Sequence, residues 1–103
     1  MTINLAELLT RDLHLDSSAC DGQVIVVTGA GRGIGLQTAR AFALLGGKVV
    51  LAELSEEGQQ AERQIRAEGG EALYVQTDVA DQSAVARLVE ITHDRCGPVD
   101  VLI

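Results

Sequence analysis

Four glycines within eight residues, in Thr28-Gly29-Ala30-Gly31-Arg32-Gly33-Ile34-Gly35, constrain this chain more than any other stretch. Each forgoes about 0.5–1 kcal/mol against alanine in regular structure, so the octet gives up ~2–4 kcal/mol that an ordinary turn would keep. Something must approach that backbone closely. The octet follows a continuous β-branched run, Val24-Ile25-Val26-Val27, and opens a segment over 34–45 that is rich in Ala and Leu. A glycine turn between a strand and a helix exposes amide N–H groups at the positive end of the helix dipole, where they hold a phosphate or pyrophosphate without a lysine. A purely structural turn is the competing reading of the same glycines.

The alternation of pattern continues down the chain. The run 24–27 is too short for a helix and apolar on both faces, as a buried parallel strand must be. The segment 34–45 closes at Gly46-Gly47, and 48–52 is a second buried run. Ser55 then caps a helix whose first turn holds Glu56 and Glu57 and which stops at Gly69-Gly70. Ala61 and Ile65 give that helix a narrow apolar stripe, with Glu62 and Arg66 as an i,i+4 pair outside it. The third strand, 72–75, reads as buried or near an edge. Asp81 caps a third helix in which Val85, Leu88, Val89 and Thr92 share a face, Gly97-Pro98 ends it, and 101–103 begins a fourth buried strand. The order β-α-β-α-β-α-β requires crossovers between parallel strands, so the expected fold is α/β, an open, doubly wound parallel sheet.

Ahead of the sheet lies an arm, 1–22. Asn4 caps a short helix there with Glu7 reaching back to it, and Leu5, Leu8, Leu9 and Leu13 recur on one face. Such a helix packs on its own domain or meets a partner. The segment 16–22 is the polar connection into the domain proper, 23–103, and 103 residues leave no room for a second domain.

Eight Lys and Arg against fifteen Asp and Glu, a net charge of −7, offer no attraction to nucleic acid or to an anionic membrane surface. Phe42 and Tyr74 are the only aromatic residues, so base-stacking platforms are nearly excluded as well. Cys20, Cys96, His14 and His93 stand at no metal-ligand spacing, so no metal site is expected and the cysteines read as reduced thiols. The N-terminal segment lacks a basic start and a long apolar run, no stretch approaches the ~20 apolar residues of a membrane span, and a cytoplasmic protein is expected.

Spacing separates the phosphate motifs. A P-loop needs Gly-Lys-Ser/Thr, and the one lysine is Lys48, far from the octet. The pattern G-x-G-x-x-G fails too, because it would end on Ile34 or Leu36. What fits is T-G-x-x-x-G-x-G over Thr28, Gly29, Gly33 and Gly35, and this resembles the fingerprint of the short-chain dehydrogenase/reductase family. Glu53 after the second strand, Asp78-Val79 after the third, and 99–103 as the fourth stand in register with it. The resemblance covers 23–103.

It implies a Rossmann-like sheet in the order 3-2-1-4, truncated within the fourth strand, and an NAD(P) site. Gly29, Arg32, Gly33, Ile34 and Gly35 would surround the pyrophosphate, Thr28 would stabilise the turn, Glu53 would bind the adenosine ribose, and Asp78 and Val79 the adenine. Glu53 also reads as a solvated loop acid and Asp78 as a brace for the next turn. A 2′-phosphate ~4 Å from the Glu53 carboxylate meets about 4 kcal/mol of repulsion per unit charge at an effective dielectric near 20, which favours NAD over NADP. Arg32 pulls the other way.

The family's Tyr-x-x-x-Lys pair is not found here, because Tyr74 is followed four residues later by Asp78. The family's Asn-Asn-Ala-Gly segment would begin past Ile103. No catalytic residue is therefore assigned, and the expected function is that of the cofactor-binding N-terminal part of an NAD(P)-dependent dehydrogenase or reductase. Its longer form would interconvert an alcohol and a ketone, and 1–103 alone would be inactive. The alternative is a non-catalytic nucleotide-binding or protein-interaction module, with the apolar open edge at the fourth strand available for self-association.

Overall fold

A computed structural model describes residues 4–103; residues 1–3 of the arm lie outside it. The arm begins with one helical turn, α1 (Leu5–Glu7), which runs on as a π-helical stretch, Leu8–Asp12. Then come β1 (Val24–Thr28), α2 (Gly33–Leu44), β2 (Lys48–Glu53), α3 (Glu57–Ala67), β3 (Glu71–Gln76), α4 (Gln82–Arg95) and β4 (Val101–Leu102). Every connection between strands is a helix, so every pairing is parallel and the order is β3-β2-β1-β4. This is the expected Rossmann-like topology.

Side chains alternate across the sheet. Ile25, Val27, Val49 and Leu51 face α2 and α3 and pack with Ala39, Ala43, Ala61 and Ile65. Val26, Val50 and Ala52 face the other way, toward Leu88 of α4. Because α4 crosses back over the opposite face, one side of the sheet carries two helices and the other carries one. The helices close at Gly46, Gly69 and Gly97, all left-handed, where the glycine pairs and Gly97-Pro98 placed the stops. Asp100 aligns β4 by accepting the Val24 N–H at 2.8 Å.

Three local expectations shift. The helix α3 begins at Glu57 with Glu56 in the capping position, although the Ser55 hydroxyl still accepts the Glu57 N–H at 3.3 Å. In α4 the buried residues are Ala84, Leu88 and Thr92, whereas Val85 and Val89 are exposed. Thr92 tolerates full burial because its hydroxyl donates to the Leu88 carbonyl at 2.7 Å, one turn back. In the arm Asn4 Oδ1 accepts the Glu7 N–H, as the cap required. The π-helical turn, in which Leu13 N–H reaches Leu8 O, then rotates the leucines out of a single stripe. Leu9 is buried against Cys20 and Leu45, so the arm packs on the end of α2, while Leu13 is exposed.

Candidate functional site

Parallel pairing in register, Thr28 beside Ala52, puts the ends of β1 and β2 side by side. The two turns that follow must therefore flank one crevice at the carboxyl end of the sheet, the position where open α/β sheets bind ligands. A cleft of about 590 Å³ lies there. Its first wall is the glycine turn: Gly29, Arg32, Gly33, Ile34 and Gly35. The second wall is the β2–α3 turn: Glu53, Leu54, Ser55 and Glu57.

Geometry accounts for the glycines of the first wall. Gly29 and Gly33 sit at φ +63° and +61°, where a side chain is strained. At Gly35 a Cβ would lie only 2.1 Å from the Gly29 carbonyl oxygen, so α2 could not begin so close to the turn with any larger residue. The capping position of α2 is Arg32, whose side chain makes no capping hydrogen bond. The first N–H groups of a helix have no intrahelical acceptor, and here they open on the cleft with the positive end of the dipole behind them.

Across the cleft the Glu53 carboxylate is held at two points. Oε1 accepts the Gly31 N–H at 3.0 Å and Oε2 accepts the Ser55 N–H at 3.1 Å. Burial pushes its pKa up, but the N–H groups of Ser55, Gly31 and Leu54, together with the Arg32 charge, outweigh that and hold it below the usual carboxylate range. Tyr74 steadies the same turn from beneath, donating its hydroxyl to the Ser55 carbonyl at 2.8 Å. Burial, with Glu53 and Glu56 nearby, raises the pKa of that hydroxyl, so it remains a neutral donor. Lys48 starts β2, at the far end of the strand from the cleft.

Of the residues singled out from sequence, Gly29, Arg32, Gly33, Ile34, Gly35 and Glu53 come together in this cleft. Thr28, Asp78 and Val79 do not line it. Thr28 uses both its N–H and its hydroxyl on the Ile103 carbonyl, which ties β1 to the end of β4. Asp78 accepts the Ala80 N–H at 2.9 Å in its own turn, and Val79 is exposed beside it. Sequence reasoning missed Gly31, whose N–H aims the Glu53 carboxylate, and Leu54, Ser55 and Glu57. Local pattern marks the last two only as the start of α3. The in-register pairing of β1 with β2 is the signal that makes the second turn part of the site.

Residues 23–103 match the family model described as short chain dehydrogenase. An uncharacterized oxidoreductase of Thermotoga maritima is 46% identical over 84 residues, covering 81% of this chain and 33% of its own. A 3-oxoacyl-[acyl-carrier-protein] reductase of Synechocystis is 43% identical over 88 residues, covering 84% and 36%. The solved structure of a citronellol catabolism dehydrogenase from Pseudomonas aeruginosa superposes with a TM-score of 0.80 at 34% identity, over 84% of this chain and 36% of that one. The chain thus spans about a third of the length of the curated relatives it matches. With the 3-2-1-4 sheet and the glycine turn at the head of α2, the match settles the family: the chain belongs to the short-chain dehydrogenases.

Proposed function

We propose that residues 23–103 form the dinucleotide-binding part of an NAD(P)-dependent oxidoreductase, with 1–22 an arm ahead of it, and that the whole protein interconverts an alcohol and a ketone. The observation that carries this is the uncapped amino terminus of α2 facing the Glu53 carboxylate across one cleft. The residues present suit such a ligand: backbone N–H groups and Arg32 on one wall for phosphates, a fixed carboxylate on the other for ribose hydroxyls. A volume of about 590 Å³ is in keeping with cofactor sites.

In this reading Gly29, Gly33, Ile34 and Gly35 bind the pyrophosphate, and Arg32 covers it. Glu53 takes the adenosine ribose, while Asp78 and Val79 meet the adenine. Thr28 braces the turn from the β4 side. Bound there, NAD(P) supplies the hydride chemistry, and the chain's own residues bind and orient. Two backbone donors hold the Glu53 carboxylate where a 2′-phosphate would be repelled, which supports NAD over NADP. No described helix is long and apolar enough to cross a membrane, and a cytoplasmic enzyme is the accompanying proposal.

Calorimetric titration of the chain tests the reading. NAD is expected to bind with a Kd of roughly 0.1–1 mM, NADP more weakly, and Glu53→Ala to narrow the difference, with no turnover of NAD(H). Tight NADP binding by the wild type overturns the cofactor choice, and failure to bind either dinucleotide overturns the reading.

One observation favours a second reading, an interaction module without catalysis: a wholly apolar groove of about 210 Å³ between α4 and β4, lined by Val26, Val85, Leu88, Val89, Val99 and Leu102. Self-association through this edge is the form such a module would take.

A further inference from the structure

Arg32 is the one cation among the residues that line the cleft, and it does not face Glu53 alone. Its Nε lies 3.9 Å from Oε2 of Glu57, in the first turn of α3, with side chains 84% and 44% exposed. Glu57 is itself part of the cleft wall, so the one positive side chain among the described lining residues pairs with Glu57 and also feels the charge of Glu53.

We infer that Glu57 is a specificity-determining residue that disfavours a 2′-phosphorylated cofactor by occupying Arg32. This deepens, and rests on, the dinucleotide reading above. Glu53 repels a 2′-phosphate directly. Glu57 acts differently: it draws the guanidinium toward α3 and offsets its charge, so an incoming phosphate must compete with a resident carboxylate for the same donor. NAD presents to Arg32 only the pyrophosphate that both cofactors share, so the competition weighs more heavily on NADP. Both side chains are exposed and the pair is long, so the effect is modest and salt-dependent.

The test is titration of the chain with NAD and NADP, for wild type, Glu57→Gln, and Glu57→Gln combined with Arg32→Gln. Glu57→Gln is expected to raise the ratio of NADP to NAD affinity about fivefold at low ionic strength, at the upper end for an exposed pair, and an equal gain for both cofactors overturns the inference. The gain shrinks toward none as salt rises from about 0.05 to 0.5 M, and it disappears when Arg32 is also replaced. NADP affinity unmoved by Glu57→Gln, while NAD still binds, overturns the role of Glu57 and leaves the dinucleotide reading standing. A gain that survives Arg32→Gln overturns it too, since the effect would then not pass through the guanidinium. Loss of both dinucleotides from the wild type overturns the reading and this inference together.

Discussion

At the β3 edge of the sheet two outward backbone groups have side-chain partners: Glu62 accepts the Tyr74 N–H, and Arg66 Nε donates to the Ala72 carbonyl at 3.1 Å. At the β4 edge Leu102 and Ile103 stand 70% and 47% exposed instead, beside an apolar groove. Glu62 and Arg66 also pair with each other at 3.6 Å, one turn apart on α3, so a single helix supplies both plugs for the strand that follows it. The helix layers differ in the same sense, α2 and α3 together on one face and α4 alone on the other. The β3 edge thus carries side-chain partners for its backbone, and the β4 edge presents exposed apolar residues.

The largest expected effect breaks this comparison if it is absent. Ile65 is 1% exposed in the cluster beneath α3, and Ile65→Ala is expected to cost about 3–4 kcal/mol, a cavity loss that a domain of this size scarcely survives. Val89 on α4 is 52% exposed, and Val89→Ala is expected to cost less than about 0.5 kcal/mol. Urea unfolding followed by circular dichroism measures both. Equal losses would mean that the α4 face is as well packed as the other.

Those two residues also show what the sequence could and could not say. Ile65 was legible because its helix has a polar surround, so a narrow stripe of Ala61 and Ile65 has only one place to go. Val85 and Val89 share a face with Leu88 by spacing alone, and periodicity cannot tell a valine buried against the sheet from one that lines an open groove. The strand order was legible because helical crossovers leave few topologies. The glycine wall of the cleft was legible because positive φ and close approach demand glycine, as at Gly33 and Gly35. The acidic wall was legible only at Glu53. Ser55 and Glu57 belong to the site through the pairing of β1 with β2, a contact between segments that no local pattern reports.

An intermediate effect sharpens the contrast between the edges. Replacing Glu62 and Arg66 together by alanine leaves the Tyr74 N–H and Ala72 carbonyl without their side-chain partners, an expected cost of about 1–2 kcal/mol. It also frees β3 for pairing with another chain. Leu102→Lys places a charge on the other edge at little cost to folding and is expected to reduce self-association. Sedimentation of the Leu102→Lys chain, with and without the double alanine change, separates the two edges. If association depends only on Leu102, the plugs on β3 are not what protects that edge.

The smallest effect concerns pH and asks whether the cleft end of β2 is held as firmly as the β3 edge. The Glu53 pKa is depressed in the fold, so its ionised form binds the fold more tightly than the protonated form does. The sign follows: its contribution is fully present above the ordinary carboxylate value of ~4.3 and is lost as pH falls through the lower folded value. Asp16 is also depressed, by the backbone and side-chain hydrogen bonds from Ser18, and titrates in the same range. The informative quantity is therefore the difference in unfolding midpoint between wild type and Glu53→Gln, not the wild-type curve alone. That difference is expected to be constant from pH 7 to about 5 and to shrink as pH falls below the ordinary carboxylate value, as the carboxyl group gains its proton and comes to resemble the amide. A difference unchanged at pH 3 would mean that the hydrogen bonds from Gly31 and Ser55 do not depend on the charge of Glu53.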